Sequence, residues 1–184
     1  MSQRIGVGGQ PHGRGAPALF RMLVILRATL YSSAFVLLWA WLAVSVRPFD
    51  ARLPFTIPVW ARPLGLALAV AGALVCLWCI ATFVARGRGT PAPFDPPREF
   101  VAAGPYRYVR NPMYIGGFGV LLGAGLVLRS PSIIGLAVLF LLLVHLLVLL
   151  YEEPALASRF GDPYLHYKSS VHRWLPRSPY PAQP

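Results

Sequence analysis

Two short stretches hold most of the polar chemistry of this chain. Gly104-Pro105-Tyr106-Arg107-Tyr108-Val109-Arg110-Asn111-Pro112-Met113-Tyr114 sets arginines and tyrosines at the start of an apolar run, and Glu152-Glu153-Pro154 closes the next apolar run. Guanidinium groups and the free N–H groups of a helix start favour an anion. Paired carboxylates and the carbonyls of a helix end favour a cation. If both lie at one edge, they suit a zwitterion such as an amino acid moiety. The same residues also fit a plain structural ion pair between Arg110 and Glu153 that pins two helices together. Tyr106, Tyr108 and Tyr114 are residues of a site or of a membrane interface, where tyrosine is common.

The elements that must position these residues follow from the uncharged runs. Residues 28–46, 63–85, 111–128 and 130–151 contain no Asp, Glu, Lys or Arg. Each approaches or exceeds the roughly 18–20 residues that cross a bilayer core. With 56% apolar and 12% charged residues among 184, the composition is far from that of a soluble globular domain. The expected fold is an all-α integral membrane protein with about four transmembrane helices and a short C-terminal amphipathic helix. Its core domain covers 19–177, between a flexible cytoplasmic tail at 1–18 and a Pro-rich tail at 178–184.

Orientation follows from the cations. Placing both termini in the cytoplasm puts thirteen of the seventeen Lys and Arg residues inside and leaves four outside, Arg47, Arg52, Arg62 and Arg129. The formal charge of +11 is therefore read as cytoplasmic flanks lying against an anionic leaflet. No stacked-aromatic module supports nucleic acid binding. The run after Arg27 is too long for a secretory h-region and lacks a small-x-small cleavage site, so it is read as the first membrane helix. Trp39 and Trp41 fall toward its outer end, as in an interface belt.

Gly65, Ala69, Gly72 and Ala73 on the second helix, and Gly116, Gly119 and Gly123 on the third, have the spacing of small-residue contact faces. Cys76 and Cys79 sit at helical spacing inside the second span and read as packing residues. No metal-ligand set is expected. Asn111-Pro112 has the form of an N-cap followed by proline at the first helical position. The connection Arg129-Ser130-Pro131 is so short that helices three and four must run antiparallel, which brings Arg110 and Glu152-Glu153 to one edge. His145 precedes Glu152 by seven residues, on the same helix face and about 10 Å deeper. An ionisable group in a span is a candidate for function, or a neutral histidine bonded to a neighbour. Beyond Pro154, Leu156, Phe160, Tyr164 and Tyr167 recur at helical spacing, as in an amphipathic helix roofing the site.

The series from Pro93-Phe94 through Gly104–Tyr114, Tyr151-Glu152-Glu153-Pro154, Arg159-Phe160-Gly161, Tyr164, Tyr167 and Val171-x-Arg173-Trp174-x-Pro176 resembles the bacterial branch of the isoprenylcysteine carboxyl methyltransferase family. That superfamily also includes phospholipid and small-thiol methyltransferases. The resemblance covers about residues 60–177. It implies a membrane enzyme that uses S-adenosylmethionine, bound from the cytosol, and a lipophilic or small acceptor (carboxylate, amine or thiol). The matching positions for the cofactor are Arg110, Pro112, Tyr114, Glu152 and Glu153, with Tyr106, Arg107 and His145 as further candidates. Its methionine carboxylate is expected toward Arg110 and its ammonium toward Glu153.

His145, Glu152 and Asn111 are the candidate catalytic residues. Many members carry His where this chain has Asn111, and asparagine cannot act as a base near neutral pH. A nucleophile that is already an anion needs none. Two rivals share the pattern: a membrane NADPH-dependent reductase of the sterol type, which has a related Arg-x-Pro-x-Tyr segment, and a non-catalytic membrane scaffold. The expected location is the inner, cytoplasmic membrane.

Overall fold

The structure, a computed structural model, describes residues 18–87 and 101–181. The expected N-terminal tail, and the loop segment containing Pro93-Phe94, lie outside the described residues. The helices are α1 (Ala18–Val46), α2 (Ala61–Thr82), α3 (Pro112–Leu128), α4 (Pro131–Leu147), α5 (Glu153–Phe160) and α6 (Asp162–Ser170). No strand occurs among the described residues. The segments Thr29–Arg52, Ala61–Ala85 and Pro131–Phe160 are long and apolar enough to cross a membrane. The seventeen residues of α3 rise about 25 Å, at the lower limit for a fourth crossing.

α2 and α3 approach most closely because glycine faces glycine. A methyl group on Gly72 would lie 2.5 Å from the Gly116 carbonyl oxygen, and one on Gly123 would lie 2.5 Å from the Gly65 oxygen. Without a hydrophobic drive between helices in lipid, such backbone contact supplies the packing. Ala73 is exposed and falls outside that contact. Cys76 Sγ reaches the Met113 carbonyl at 3.6 Å and Cys79 is fully buried, both as packing residues.

α3 and α4 form the antiparallel hairpin. Arg129 takes a left-handed conformation (φ 57°) at the end of α3, and Ser130 Oγ accepts from Ile133 N at 3.3 Å to cap α4. At this same end Asp50 accepts from Ser132 N at 2.9 Å, and Arg129 Nε donates to the Ile57 carbonyl at 2.6 Å. These bonds tie the α1–α2 connection to the hairpin turn. Trp39 of α1 packs edge-on against Phe140 of α4 at 4.8 Å, inside the bundle rather than in an interface belt.

Two expectations are corrected beyond α4. Pro154 does not end the helix: a single π-turn at Val148–Glu152 carries it on into α5. Proline has no N–H for the Leu150 carbonyl and would clash in a regular α-turn, and the wider turn accommodates it. The carbonyl pole expected at Glu152-Glu153 is therefore displaced along the chain. The C-terminal amphipathic helix is also two helices, broken at Gly161 (φ 56°, ψ −135°), a conformation only glycine adopts readily.

Candidate functional site

Glu153 is the hub of the end opposite Arg129. It is 4% exposed. Arg173 meets it with two donors, Nε to Oε1 at 2.6 Å and Nη2 to Oε2 at 3.1 Å. Lys168 Nζ lies 2.9 Å from Oε2, and Arg110 Nη1 lies 3.1 Å from Oε1. A fork-on-fork arginine pair is the strongest geometry for a carboxylate. It also raises the Arg173 pKa through the Glu153 hydrogen bond, so that cation is permanent.

The expected Arg110–Glu153 approach is thus present, with a qualification in its geometry. Arg110 Nη1 is within ion-pair distance, yet neither Nη1 nor Nε makes a hydrogen bond among the described residues, although both atoms are buried. Nε is the donor left for something else, since a buried donor without a partner costs roughly 1–3 kcal/mol.

Glu152 is in a different position from its neighbour. Its Oε2 accepts from the Tyr114 hydroxyl at 3.1 Å, and Oε1 accepts no hydrogen bond among the described residues. Tyr114 is held at the first turn of α3, where Pro112 fixes the helix start.

Asn111 stands at the N-cap of α3 but does not cap with its side chain. Its Nδ2 donates instead to the Arg173 carbonyl at 3.2 Å. Arg107 likewise turns away from Glu152 and Glu153: its Nε donates to the Tyr180 carbonyl at 2.6 Å. Both residues hold the C-terminal segment. That segment runs beside residues 107–110, through Arg110 N to His172 O (2.9 Å), Arg177 N to Tyr108 O (3.0 Å) and Tyr180 N to Arg107 O (2.9 Å). It forms a strap that delivers Arg173 to Glu153.

Tyr106 packs edge-on against Phe83 at 5.2 Å, and its backbone carbonyl accepts from the Tyr167 hydroxyl at 2.7 Å. Tyr164 and Tyr167 of α6 are buried around Ala102 and Val171 beneath the loop. Burial raises all three phenols, Tyr164 to about 12 with the Glu153 charge adding, and so keeps them protonated as donors. His145, deeper on α4, accepts at Nδ1 from the Trp174 indole N–H at 3.0 Å.

The structure therefore brings Arg110, Asn111, Pro112, Tyr114, Glu152 and Glu153 to one end, with Tyr106 and Arg107 in the adjoining loop. Lys168, Arg173 and Trp174 were missed as site residues. The Arg173-Trp174 motif was visible in the sequence, but nothing in it shows that the tail folds back.

A bundle of membrane-length helices with an ion-pair hub at one edge of an α-hairpin defines a small helical membrane protein with a charged edge. The profile of the phospholipid methyltransferase family matches residues 60–163, more than half of the chain, and the chain belongs to that family. It is 27% identical over 122 residues to the cobalt-zinc-cadmium resistance protein CzcN of Cupriavidus metallidurans, a match covering 64% of this chain. The chain spans about half (52%) of the length of that relative. No solved structure matches.

Proposed function

We propose that this protein transfers the methyl group of S-adenosylmethionine to a lipophilic or small acceptor at the cytoplasmic face of the membrane. The observation that carries the reading is the buried Nε of Arg110, which has no partner among the described residues, at the same end of the hairpin as Glu152. While Nη1 stays beside Glu153, Nε suits one oxygen of the cofactor carboxylate. The open Oε1 of Glu152 suits its ammonium. Glu153, with both oxygens already taken by cations, is a positioning residue, so the ammonium is assigned to Glu152 in place of Glu153.

When bound, the cofactor supplies a methyl group activated by an adjacent sulfonium. The protein holds and orients it and excludes water. Tyr114 fixes the rotamer of Glu152 through its hydroxyl, and Glu153 fixes that of Arg110. Asn111 is occupied with the strap and supplies no base, which suits an acceptor that arrives as an anion; an amine or thiol would give its proton to Glu152.

Calorimetry with S-adenosylhomocysteine tests the reading. The purified protein is expected to bind it and to ignore NADPH, and Glu152→Gln is expected to weaken binding about 10-fold, the equivalent of roughly 1.4 kcal/mol for one charge-assisted bond. Wild-type affinity in that variant removes Glu152 from the site. Binding of NADPH in place of the homocysteine analogue favours the reductase.

A further inference from the structure

Trp174 and His145 form a contact that the proposed cofactor site does not use. Arg173 and Trp174 are adjacent on the strap, where its backbone bends, and their side chains reach different partners. Arg173 reaches Glu153, and Trp174 reaches His145, eight residues earlier on the helix and about 12 Å deeper along its axis. The indole packs at the buried cluster of Leu121, Ala137, Phe140 and Val144, which Tyr114 and Trp39 also border. Its only polar atom, Nε1, points at His145 Nδ1 across 3.0 Å with the rings 5.9 Å apart.

An indole N–H is a donor with no acceptor capacity. The histidine nitrogen that faces it must therefore offer a lone pair, and the neutral ring then carries its proton on Nε2. A general base at His145 would need a free lone pair, and both nitrogens are committed: Nδ1 to Trp174 and Nε2 to its own proton. Nε2 makes no hydrogen bond among the described residues, and it is not sealed from the surface as the Arg110 nitrogens are.

We infer that Trp174 is a positioning residue that fixes His145 as an Nε2–H hydrogen-bond donor, so that His145 enters the site as a donor and not as the general base. Within the reading of a methyl-transfer site, on which this inference rests, Glu152 is then the one carboxylate near the cofactor with proton-accepting capacity. An acceptor molecule would meet at His145 a group that recognises a lone pair, such as an oxygen, and rejects an ammonium.

The test is spectroscopic and needs no acceptor. Protein labelled with 15N-histidine is reconstituted in lipid nanodiscs, and long-range 15N–1H correlations are recorded for the wild type, for His145→Gln to assign the signal, and for Trp174→Phe. The expected wild-type pattern is an imine-type Nδ1 and a protonated Nε2, and in Trp174→Phe the single pattern is expected to be lost to a mixture of tautomers. A protonated Nδ1 in the wild type overturns the inference by itself, whatever the stability of the variant. An unchanged pattern in folded Trp174→Phe shows that another group sets the tautomer and also overturns it. Failure of the wild type to bind S-adenosylhomocysteine would sink the functional reading without touching the tautomer result, so the two failures are distinguishable.

Discussion

Glu153 holds three cations on two oxygens, and neutralising it would leave Arg110 and Arg173 crowded together without their anion. Lys168, with 40% of its side chain exposed, would relax into water at little cost. Arg110, at 10%, cannot do so. Breaking a buried pair from one side costs about 3–5 kcal/mol. Glu153→Gln is therefore expected to destabilise the protein by about 3 kcal/mol in reversible unfolding, the amide keeping one acceptor for Arg173. Glu152→Gln is expected to change stability by less than about 1 kcal/mol, because Tyr114 can still donate to the amide oxygen. On the proposed reading the two adjacent carboxylates separate into a structural and a ligand-facing role. A Glu153→Gln protein as stable as the wild type would refute that division. The pair and its edge were legible in the sequence from the short Arg129-Ser130-Pro131 turn. Which of the two would be saturated was not, because the saturating cations come from α6 and from a tail with no periodicity.

At the scale of elements, small residues do unequal work. Gly72 and Gly135 are both helical glycines, but a methyl at Gly72 meets backbone at 2.5 Å while one at Gly135 meets nothing within 4 Å. Backbone cannot yield as a side-chain tip can, so Gly72→Ala must push α2 from α3 along the whole contact. A cost of about 1–3 kcal/mol is expected, with loss of S-adenosylhomocysteine binding as α3 shifts Tyr114. Gly135→Ala is expected to be neutral or to stabilise by about 0.5–1 kcal/mol through helix propensity. Thermal unfolding of both variants in one detergent decides this; equal midpoints would show that the α2–α3 contact is looser than its geometry. The glycine faces were legible because their period places them on one side of each helix. The π-turn before Pro154 was not, since proline ordinarily signals a helix end and nothing in the local sequence marks the wider turn that accommodates it.

Across the whole molecule, polarity is divided between the two ends of the bundle. One end carries Arg47, Arg52, Arg62 and Arg129 and is closed by Asp50 on the start of α4, a cap and cross-link. The other carries Arg107, Arg110, Arg159, Lys168, Arg173 and Arg177, and all the candidate cofactor residues except His145, which is deeper. α1 adds a membrane crossing but little core, touching α4 mainly through Trp39 and Phe35 on Phe140. The four long helices and their order could be read from the uncharged runs alone, because lipid enforces length and apolarity on each crossing. Orientation is a separate matter, set by cations during insertion: because Arg107, Arg110, Arg159, Lys168, Arg173 and Arg177 outnumber Arg47, Arg52, Arg62 and Arg129 at the other end, the side of the site is expected to remain in the cytoplasm. A C-terminal green fluorescent protein fusion expressed in a Gram-negative host is expected to fluoresce, and the corresponding alkaline phosphatase fusion to be inactive. The reverse result would turn the Arg110 and Glu152 end away from the cofactor pool, and a methyl donor drawn from the cytosol could then no longer be the ligand of those two residues.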